Sequence, residues 1–249
     1  MAAQTIGIVF IASVLRGLTG FGFALAAVPM LATIMEPAQA VPISMCVVAF
    51  GGIFGARKAL ATCDWPSVRS VGLATAIGTP LGAFALKYLS GDIARVVIAA
   101  FTTAAVFSVA RQGSPAARPG RVRAVALGLV AGLFNGLAAM PGPPVVAYYM
   151  ATALSSEAIR SSLLVIFQVT VWVGAASAAA LGLMTQQTFL LAGLSLPAFW
   201  LGNRLGHVMF QRGSERAYRR IALACLVAMA AASAIPAIRA LLRASAASG

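Results

Sequence analysis

The segment RGLTGFG, residues 16–22, places an arginine and three glycines inside the first apolar run of the chain, at about residues 5–35. About 115 residues later, NGLAAMPGPP, residues 135–144, repeats the glycine-rich beginning and adds a proline cluster. Glycine weakens a helix, and proline removes a backbone donor and clashes with the preceding turn. Both segments therefore predict a break in an otherwise helical run.

The composition around these segments is that of an integral membrane protein. Of 249 residues, 61% are hydrophobic and 9% are charged, and the mean hydropathy is +0.94. A soluble domain needs more charge on its surface. The net charge of +13 is spread over short basic clusters between apolar runs, which is typical of membrane-topology signals. We therefore expect a lipid bilayer around the protein and no nucleic acid as a partner.

The uncharged apolar runs predict eight helical segments. They cover about residues 5–35, 38–60, 66–89, 93–110, 124–154, 158–183, 187–208 and 217–242. Most are close to the roughly 20 residues with which a helix crosses a bilayer. The first and fifth segments are too long for one straight helix, and they contain the glycine and proline clusters. The predicted fold class is an all-α polytopic membrane protein in which these two segments are broken or re-entrant.

The two halves of the chain look like an internal duplication. An offset of 115 residues places Gly17 on Gly132 and Pro29 on Pro144, and each half then contains about four hydrophobic segments. Breaks at matching positions of two repeats are a sequence signal for the binding site of a transporter. The predicted parts are a first transmembrane repeat, a basic cytoplasmic linker and a second transmembrane repeat, at residues 1–110, 111–123 and 124–249.

Positive charge distinguishes two topologies. If all eight segments span the membrane, nine basic residues lie on the cytoplasmic side and eight lie outside. If the first and fifth segments are re-entrant hairpins, thirteen lie inside and four outside, with Arg16 within the membrane. The positive-inside rule favours the hairpins. Each repeat then crosses the membrane an odd number of times, so the second repeat is inverted relative to the first.

Arg16 is the first candidate for a substrate-binding residue, because an arginine at bilayer depth is costly unless it has a partner or a function. One interpretation is structural: the side chain reaches an interface or pairs with a distant carboxylate. The other is a fixed positive charge beside an anion, with Thr19 as a second polar side chain. The backbone amides of Gly20, Phe21 and Gly22 would then face the anion, ahead of a half-helix whose positive dipole end points at it. Both interpretations stay open.

The second break supplies further substrate-binding candidates. They are Asn135, Gly136, Met140, Pro141 and Gly142. Asn135 is a polar side chain just before the break, and a half-helix is expected to begin near Pro143, because proline is tolerated in a first turn. The four-residue spacing of Gly128, Gly132 and Gly136 also fits a helix-packing face.

Gln168 is a candidate because it lies in an apolar run, although interhelical hydrogen bonding explains such residues as well. No metalloprotease, hydrolase or P-loop motif is present, and the chain has a single histidine. All five acidic residues lie at segment ends. We therefore expect no enzyme, no metal site and no cofactor.

Residues 15–31, LRGLTGFGFALAAVPML, and residues 132–150, GLFNGLAAMPGPPVVAYYM, followed by Arg160, resemble the sulfite exporter TauE/SafE family. The resemblance covers nearly the whole chain. It implies a secondary transporter that moves small sulfur-containing anions, sulfite or organosulfonates, across the inner membrane, with export as the expected direction. Ala138, Ala139 and Met140 stand where members often carry a GxxGxGGP-like run, so the exact substrate stays open.

The expected protein is a multi-pass transporter of the cell inner membrane, in which one repeat moves against the other. Its expected partners are a small anionic substrate and the lipid bilayer, with a homodimer left open. Two alternatives remain at this point: a transporter of another small organic anion such as a carboxylate, and a membrane scaffold that does not transport.

Overall fold

A computed structural model describes residues 1–19, 22–53, 59–110 and 120–212. Within these ranges every regular element is an α-helix, as the composition predicted. The helices are α1 (Ala2–Thr19), α2 (Phe23–Leu31), α3 (Pro37–Gly51), α4 (Trp65–Tyr88), α5 (Gly91–Ala110), α6 (Arg121–Ala138), α7 (Gly142–Met150), α8 (Ser156–Ala180) and α9 (Gln186–Arg212). Gly20, Phe21, most of the predicted linker and the last predicted segment, at 217–242, lie outside the described residues.

Both long apolar segments are broken in the predicted regions. Three residues separate α1 from α2, and three separate α6 from α7. Gly22, directly before α2, has a φ of 98°, which glycine adopts without steric cost. Ala139, directly after α6, has a φ of 55°, an uncommon conformation for a residue with a Cβ atom. Arg121, which lies within the predicted linker, already belongs to α6.

Helix lengths repeat along the chain. α1 and α6 have 18 residues each, and α2 and α7 have nine each. α1 and α6 begin at residues 2 and 121, α2 and α7 at 23 and 142, and α3 and α8 at 37 and 156, so the offset is 119 residues for all three pairs. This register differs from the offset of 115 that the sequence predicts. It makes Arg16 correspond to Asn135, and Gly17 to Gly136.

The broken helix of each half packs along a helix of the other half. α6 lies along α4, and α1 lies along α9. A Cβ atom on Gly132 of α6 would overlap the carbonyl oxygen of Thr75, and one on Gly136 would overlap that of Thr79. Glycine therefore allows the two backbones to approach closely. Because the numbers of the contacting residues increase together along both helices, α4 and α6 run parallel.

The contact between α1 and α9 has the same form. A Cβ atom on Gly202 would overlap the carbonyl oxygen of Phe10, and one on Gly206 would overlap that of Val14. The numbers again rise together, so α1 and α9 also run parallel. Each half therefore contributes one broken helix and one long helix to the packing of the other half.

The chain turns back after the second break. The hydroxyl groups of Tyr149, near the end of α7, and Ser67, in the first turn of α4, are 2.8 Å apart and share a hydrogen bond. Arg121, at the start of α6, and Tyr148 line one open cavity beside Ser67. α6 therefore begins, and α7 ends, at the end of the bundle where α4 begins.

The first break also returns the chain, but toward the opposite end. The backbone N–H of Asp64 donates to Ser162 Oγ at 2.9 Å, so α4 and α8 begin at the same end. α9 follows α8 and therefore begins at the opposite end, as does α1, which runs parallel to α9. α2 ends there too: Arg95 Nε, near the start of α5, donates to the carbonyl oxygen of Ala32 at 3.2 Å.

The helices carry apolar surface on the outside of the bundle. In the described part of the chain, Arg121–Ala138 and Glu157–Ala180 are long and apolar enough to cross a bilayer, and Ala2–Leu18 and Pro37–Gly51 are shorter apolar helices. On α4, the exposed large apolar side chains form one stripe, at Leu73, Ile77, Leu81, Phe84 and Tyr88. Such a continuous apolar stripe suits contact with lipid rather than water.

Candidate functional site

The two helix breaks meet at a cavity of about 70 Å³. This volume exceeds what one water molecule requires, so the cavity has room for a small ligand. Seven of the residues that the sequence predicts for substrate binding line it: Arg16, Gly22, Asn135, Met140, Pro141, Gly142 and Gln168. The tertiary structure thus brings residues from both halves of the chain to one place. Their binding of a substrate remains a prediction.

The other four predicted residues are Gly136, Thr19, Gly20 and Phe21. Gly136 lies on the face of α6 that packs against Thr79 of α4, which agrees with the helix-packing interpretation of its glycine spacing. Thr19 is the last residue of α1. Gly20 and Phe21 fall outside the described residues.

Arg16 is the only charged residue among the described residues that line the cavity. Its guanidinium carbon lies 5.1 Å from the centre of the Phe199 ring, within the range of a cation–π contact. Phe199 in turn packs edge-on against Phe23, with ring centres 5.4 Å apart. In the described part of the chain, no carboxylate forms an ion pair with Arg16. The aromatic contact therefore positions the guanidinium without neutralising its charge.

The first turn of α2 faces the same cavity. Phe23, Ala24 and Leu25 line it, and the N–H groups in a first helical turn have no partner within the helix. These groups and the helix dipole favour an anion. α7 also begins at the cavity, but Pro143 and Pro144 follow Gly142 and lack N–H groups. The first half of the chain therefore supplies most of the anion-binding character.

Ser44 of α3 was not among the predicted binding residues. Its side chain is 1% exposed, and its hydroxyl group has no hydrogen-bond partner among the described residues. Leaving such a group unpaired costs about 1–3 kcal/mol. Because Ser44 lines the cavity, a bound ligand could satisfy this hydroxyl group. Its position as a polar residue within an apolar run was the only sequence signal.

Gly52, which follows α3, is a second residue that the sequence did not single out. It lines the cavity beside Arg16 and Gln168. A Cβ atom at this position would stand 2.5 Å from Gln168 Oε1 and 3.3 Å from Arg16 Nη2. The backbone of Gly52 has a φ of −89°, which any residue can adopt. The glycine therefore leaves space for the two polar side chains and for the carbonyl oxygen of Val48, which would lie 2.8 Å from a Cβ atom.

The two amide side chains of the site also join helices. Gln168 Nε2 of α8 donates to the carbonyl oxygen of Ala49 of α3 at 2.8 Å. Asn135 Nδ2 of α6 donates to the carbonyl oxygen of Thr170 at 2.8 Å and to Thr79 Oγ1 at 3.2 Å. The interhelical hydrogen bonds considered for Gln168 are thus present, and the same residue still lines the cavity.

The cavity lies between corresponding positions of the two halves. Five pairs of its lining residues are related by the offset of 119 residues: Arg16 and Asn135, Gly22 and Pro141, Phe23 and Gly142, Val48 and Phe167, and Gly52 and Val171. A cavity with this pairing is built equally by both halves. The paired residues differ in chemistry, however, so the two sides of the cavity are not equivalent.

These features define a membrane protein, helical throughout its described residues, with a cavity at two helix breaks that is lined by one arginine. The chain belongs to the sulfite exporter TauE/SafE family, a family of membrane transporters whose profile matches residues 5–233. A protein of Cupriavidus necator named as a probable sulfite/organosulfonate exporter, TauE, is 25% identical over 181 residues, which are 71% of each chain. No solved structure is significantly similar to this chain. The family resemblance of the two glycine-rich segments is therefore confirmed.

Proposed function

We propose that the protein is a secondary transporter that exports a small sulfur-containing anion, sulfite or an organosulfonate, across the cell inner membrane. The observation that carries this proposal is the guanidinium of Arg16, which faces the cavity between the two helix breaks without a carboxylate partner among the described residues. A guanidinium presents paired donors to an oxyanion. The substrates in the name of the Cupriavidus necator relative have this chemistry.

The transport element in this proposal is a pair of inverted re-entrant hairpins, α1–α2 and α6–α7. Within the bundle the two helix pairs open toward opposite ends, and this arrangement supports the proposal. Arg69, Arg121 and Arg160 lie at or near the starts of α4, α6 and α8, the end toward which α6–α7 opens. By the positive-inside rule this end faces the cytoplasm. In a multi-pass transporter of this kind, movement of one half against the other exposes the cavity to each side in turn.

The carboxylate alternative differs from this proposal in the class of substrate. A carboxylate has two oxygens in one plane, whereas a sulfonate has three oxygens around sulfur. The first turn of α2 and the Ser44 hydroxyl group add further donors to the cavity that Arg16 lines. A three-oxygen head can engage these groups together, which favours the sulfur-containing anion.

The test is flux through purified protein in proteoliposomes loaded with methanesulfonate, sulfite or acetate. We expect proteoliposomes with the wild-type protein to release methanesulfonate or sulfite faster than acetate. With Arg16→Ala, the release rate of each anion should not exceed that of loaded liposomes without protein. Arg69→Ala, which removes an arginine that does not line the cavity, is the matched control and should keep its flux. Faster release of acetate would favour the carboxylate alternative, and no release of any anion would favour the scaffold.

A further inference from the structure

The second half of the chain offers the cavity a hydrogen-bond acceptor at the position where the first half offers a cation. Asn135 corresponds to Arg16 in the register of the two halves, and both residues line the cavity. Arginine can only donate hydrogen bonds, whereas an asparagine amide has both a donor and an acceptor end. Which end of Asn135 faces the cavity therefore decides what the second half can bind.

The surrounding helices fix the orientation of the Asn135 amide. Its Nδ2 group lies 2.8 Å from the carbonyl oxygen of Thr170, which can only accept a hydrogen bond. Its second partner, Thr79 Oγ1, at 3.2 Å, gives its own hydrogen to the carbonyl oxygen of Thr75 and so must accept here as well. Both N–H groups of Asn135 are thus used between helices.

The carbonyl oxygen Oδ1 is the polar atom of Asn135 that remains for the cavity. None of the described residues donates a hydrogen bond to it. Asn135 is 1% exposed, and Ser44 Oγ is the only fully buried side-chain polar atom without a partner in the described part of the chain. Oδ1 therefore keeps contact with the open space of the cavity.

We propose that the substrate is a sulfonate that also carries a hydroxyl or amino group, and that Asn135 Oδ1 accepts a hydrogen bond from that group. The sulfonate head lies at Arg16 and the first turn of α2, and the donor group points toward α6. This assignment rests on the proposed transport of a sulfur-containing anion. A fully deprotonated dianion has no hydrogen to offer, and its charge is repelled by the carbonyl lone pairs.

The experiment compares 2-hydroxyethanesulfonate with propane-1-sulfonate, in which a methyl group replaces the hydroxyl group. The two anions have the same charge and the same number of non-hydrogen atoms. Binding to the purified wild-type protein is measured by isothermal titration calorimetry. We expect the hydroxyl compound to bind about tenfold more tightly, because the other leaves Oδ1 without a donor. This comparison uses the wild-type protein and does not depend on a variant that folds.

Two variants then assign the preference to Asn135. Asn135→Leu removes the acceptor and should bind both sulfonates with affinities within about twofold of each other. Thr79→Val removes one interhelical partner of the amide but leaves the bond to Thr170 and the acceptor in place, so it should keep the preference.

The outcomes separate this proposal from the proposed function. Equal affinity of the wild-type protein for both sulfonates, with both lost in Arg16→Ala, leaves the anion site in place and overturns the role of Asn135. Retention of the preference in Asn135→Leu also overturns that role. Binding of neither sulfonate to the wild-type protein overturns the assignment, and sulfite flux in the proteoliposomes then decides whether the proposed function fails with it.

Discussion

Arg16 and Asn135 occupy corresponding positions in the two halves of the chain, 119 residues apart, and face the same cavity. The two halves therefore agree in backbone arrangement and differ in chemistry at this pair. α2 begins with three residues that have N–H groups, whereas α7 begins with one such residue and two prolines. In the proposed site this difference supplies a cationic side and a side that accepts hydrogen bonds, which would give a bound anion one preferred orientation.

Replacement of Arg16 should weaken anion binding in two steps. Arg16→Lys keeps the charge but loses the planar paired donors, and Arg16→Ala loses both. A charge-assisted hydrogen bond contributes about 1.5–3 kcal/mol, which sets the scale for the alanine variant. Calorimetric titration with methanesulfonate should show the highest affinity for the wild type, a lower affinity for Arg16→Lys and the lowest for Arg16→Ala. A folded Arg16→Ala protein with wild-type affinity would show that Arg16 has a structural role only.

Gly52→Ala should impair binding without unfolding the protein. The added methyl group would stand 2.5 Å from Gln168 Oε1, so the Gln168 side chain must move and the space beside Arg16 becomes smaller. The backbone conformation of Gly52 accepts alanine, but the methyl group would also stand 2.8 Å from the carbonyl oxygen of Val48, so the end of α3 must shift and we expect a modestly lower apparent melting temperature of a protein that still folds. Gly193→Ala, where a Cβ atom meets nothing within 4 Å, is the control and should bind normally. Unchanged affinity in Gly52→Ala would mean that the ligand does not use this part of the cavity.

Ala139→Gly should stabilise the protein, because Ala139 is held at a φ of 55° directly after α6. Left-handed backbone costs a residue with a Cβ atom about 1–2 kcal/mol, and part of this gain is offset by the greater freedom of glycine when unfolded. We expect a higher apparent melting temperature in the absence of ligand. Ala126→Gly, at an exposed position within α6, should lower it, since glycine within a helix costs about 0.5–1 kcal/mol. A lower melting temperature for both variants would contradict the strained conformation.

The proposed inverted hairpins predict that residues 90 and 153 lie on opposite sides of the membrane. Ser90 lies between α4 and α5, and Ala153 lies between α7 and α8, and both are exposed. In a background without native cysteines, Ser90→Cys should react with an impermeant maleimide added to intact cells, and Ala153→Cys should react only after permeabilisation. Labelling of both variants from outside would rule out this topology.

The sequence alone determined the helical class and the location of the breaks. In a bilayer the backbone must satisfy its own hydrogen bonds, so a long apolar run is helical until glycine or proline interrupts it. Arg16, Asn135 and Gln168 could be recognised as candidates because each is a polar residue in an apolar run. These inferences need only local composition and the physics of the surrounding lipid.

The register of the two halves required the tertiary structure. The glycines at 128, 132 and 136 repeat every four residues, about one helical turn, so an alignment shifted by one turn matches glycines almost as well. The predicted offset of 115 residues differs from the observed offset of 119 by this one turn. Only the helix ends reveal that Arg16 corresponds to Asn135, and only the packing of α6 on α4 assigns Gly136 to a helix contact.

That Ser44 and Gly52 line the cavity likewise became visible only in three dimensions. Both belong to the α3 region, far in sequence from either break, and one is an ordinary serine and the other a glycine without unusual backbone geometry. They line the cavity because α3 packs beside α8 and α9, an arrangement set by contacts between residues distant in sequence. The sequence thus determined which residues are unusual for a membrane helix, whereas long-range packing decided which of them line one cavity.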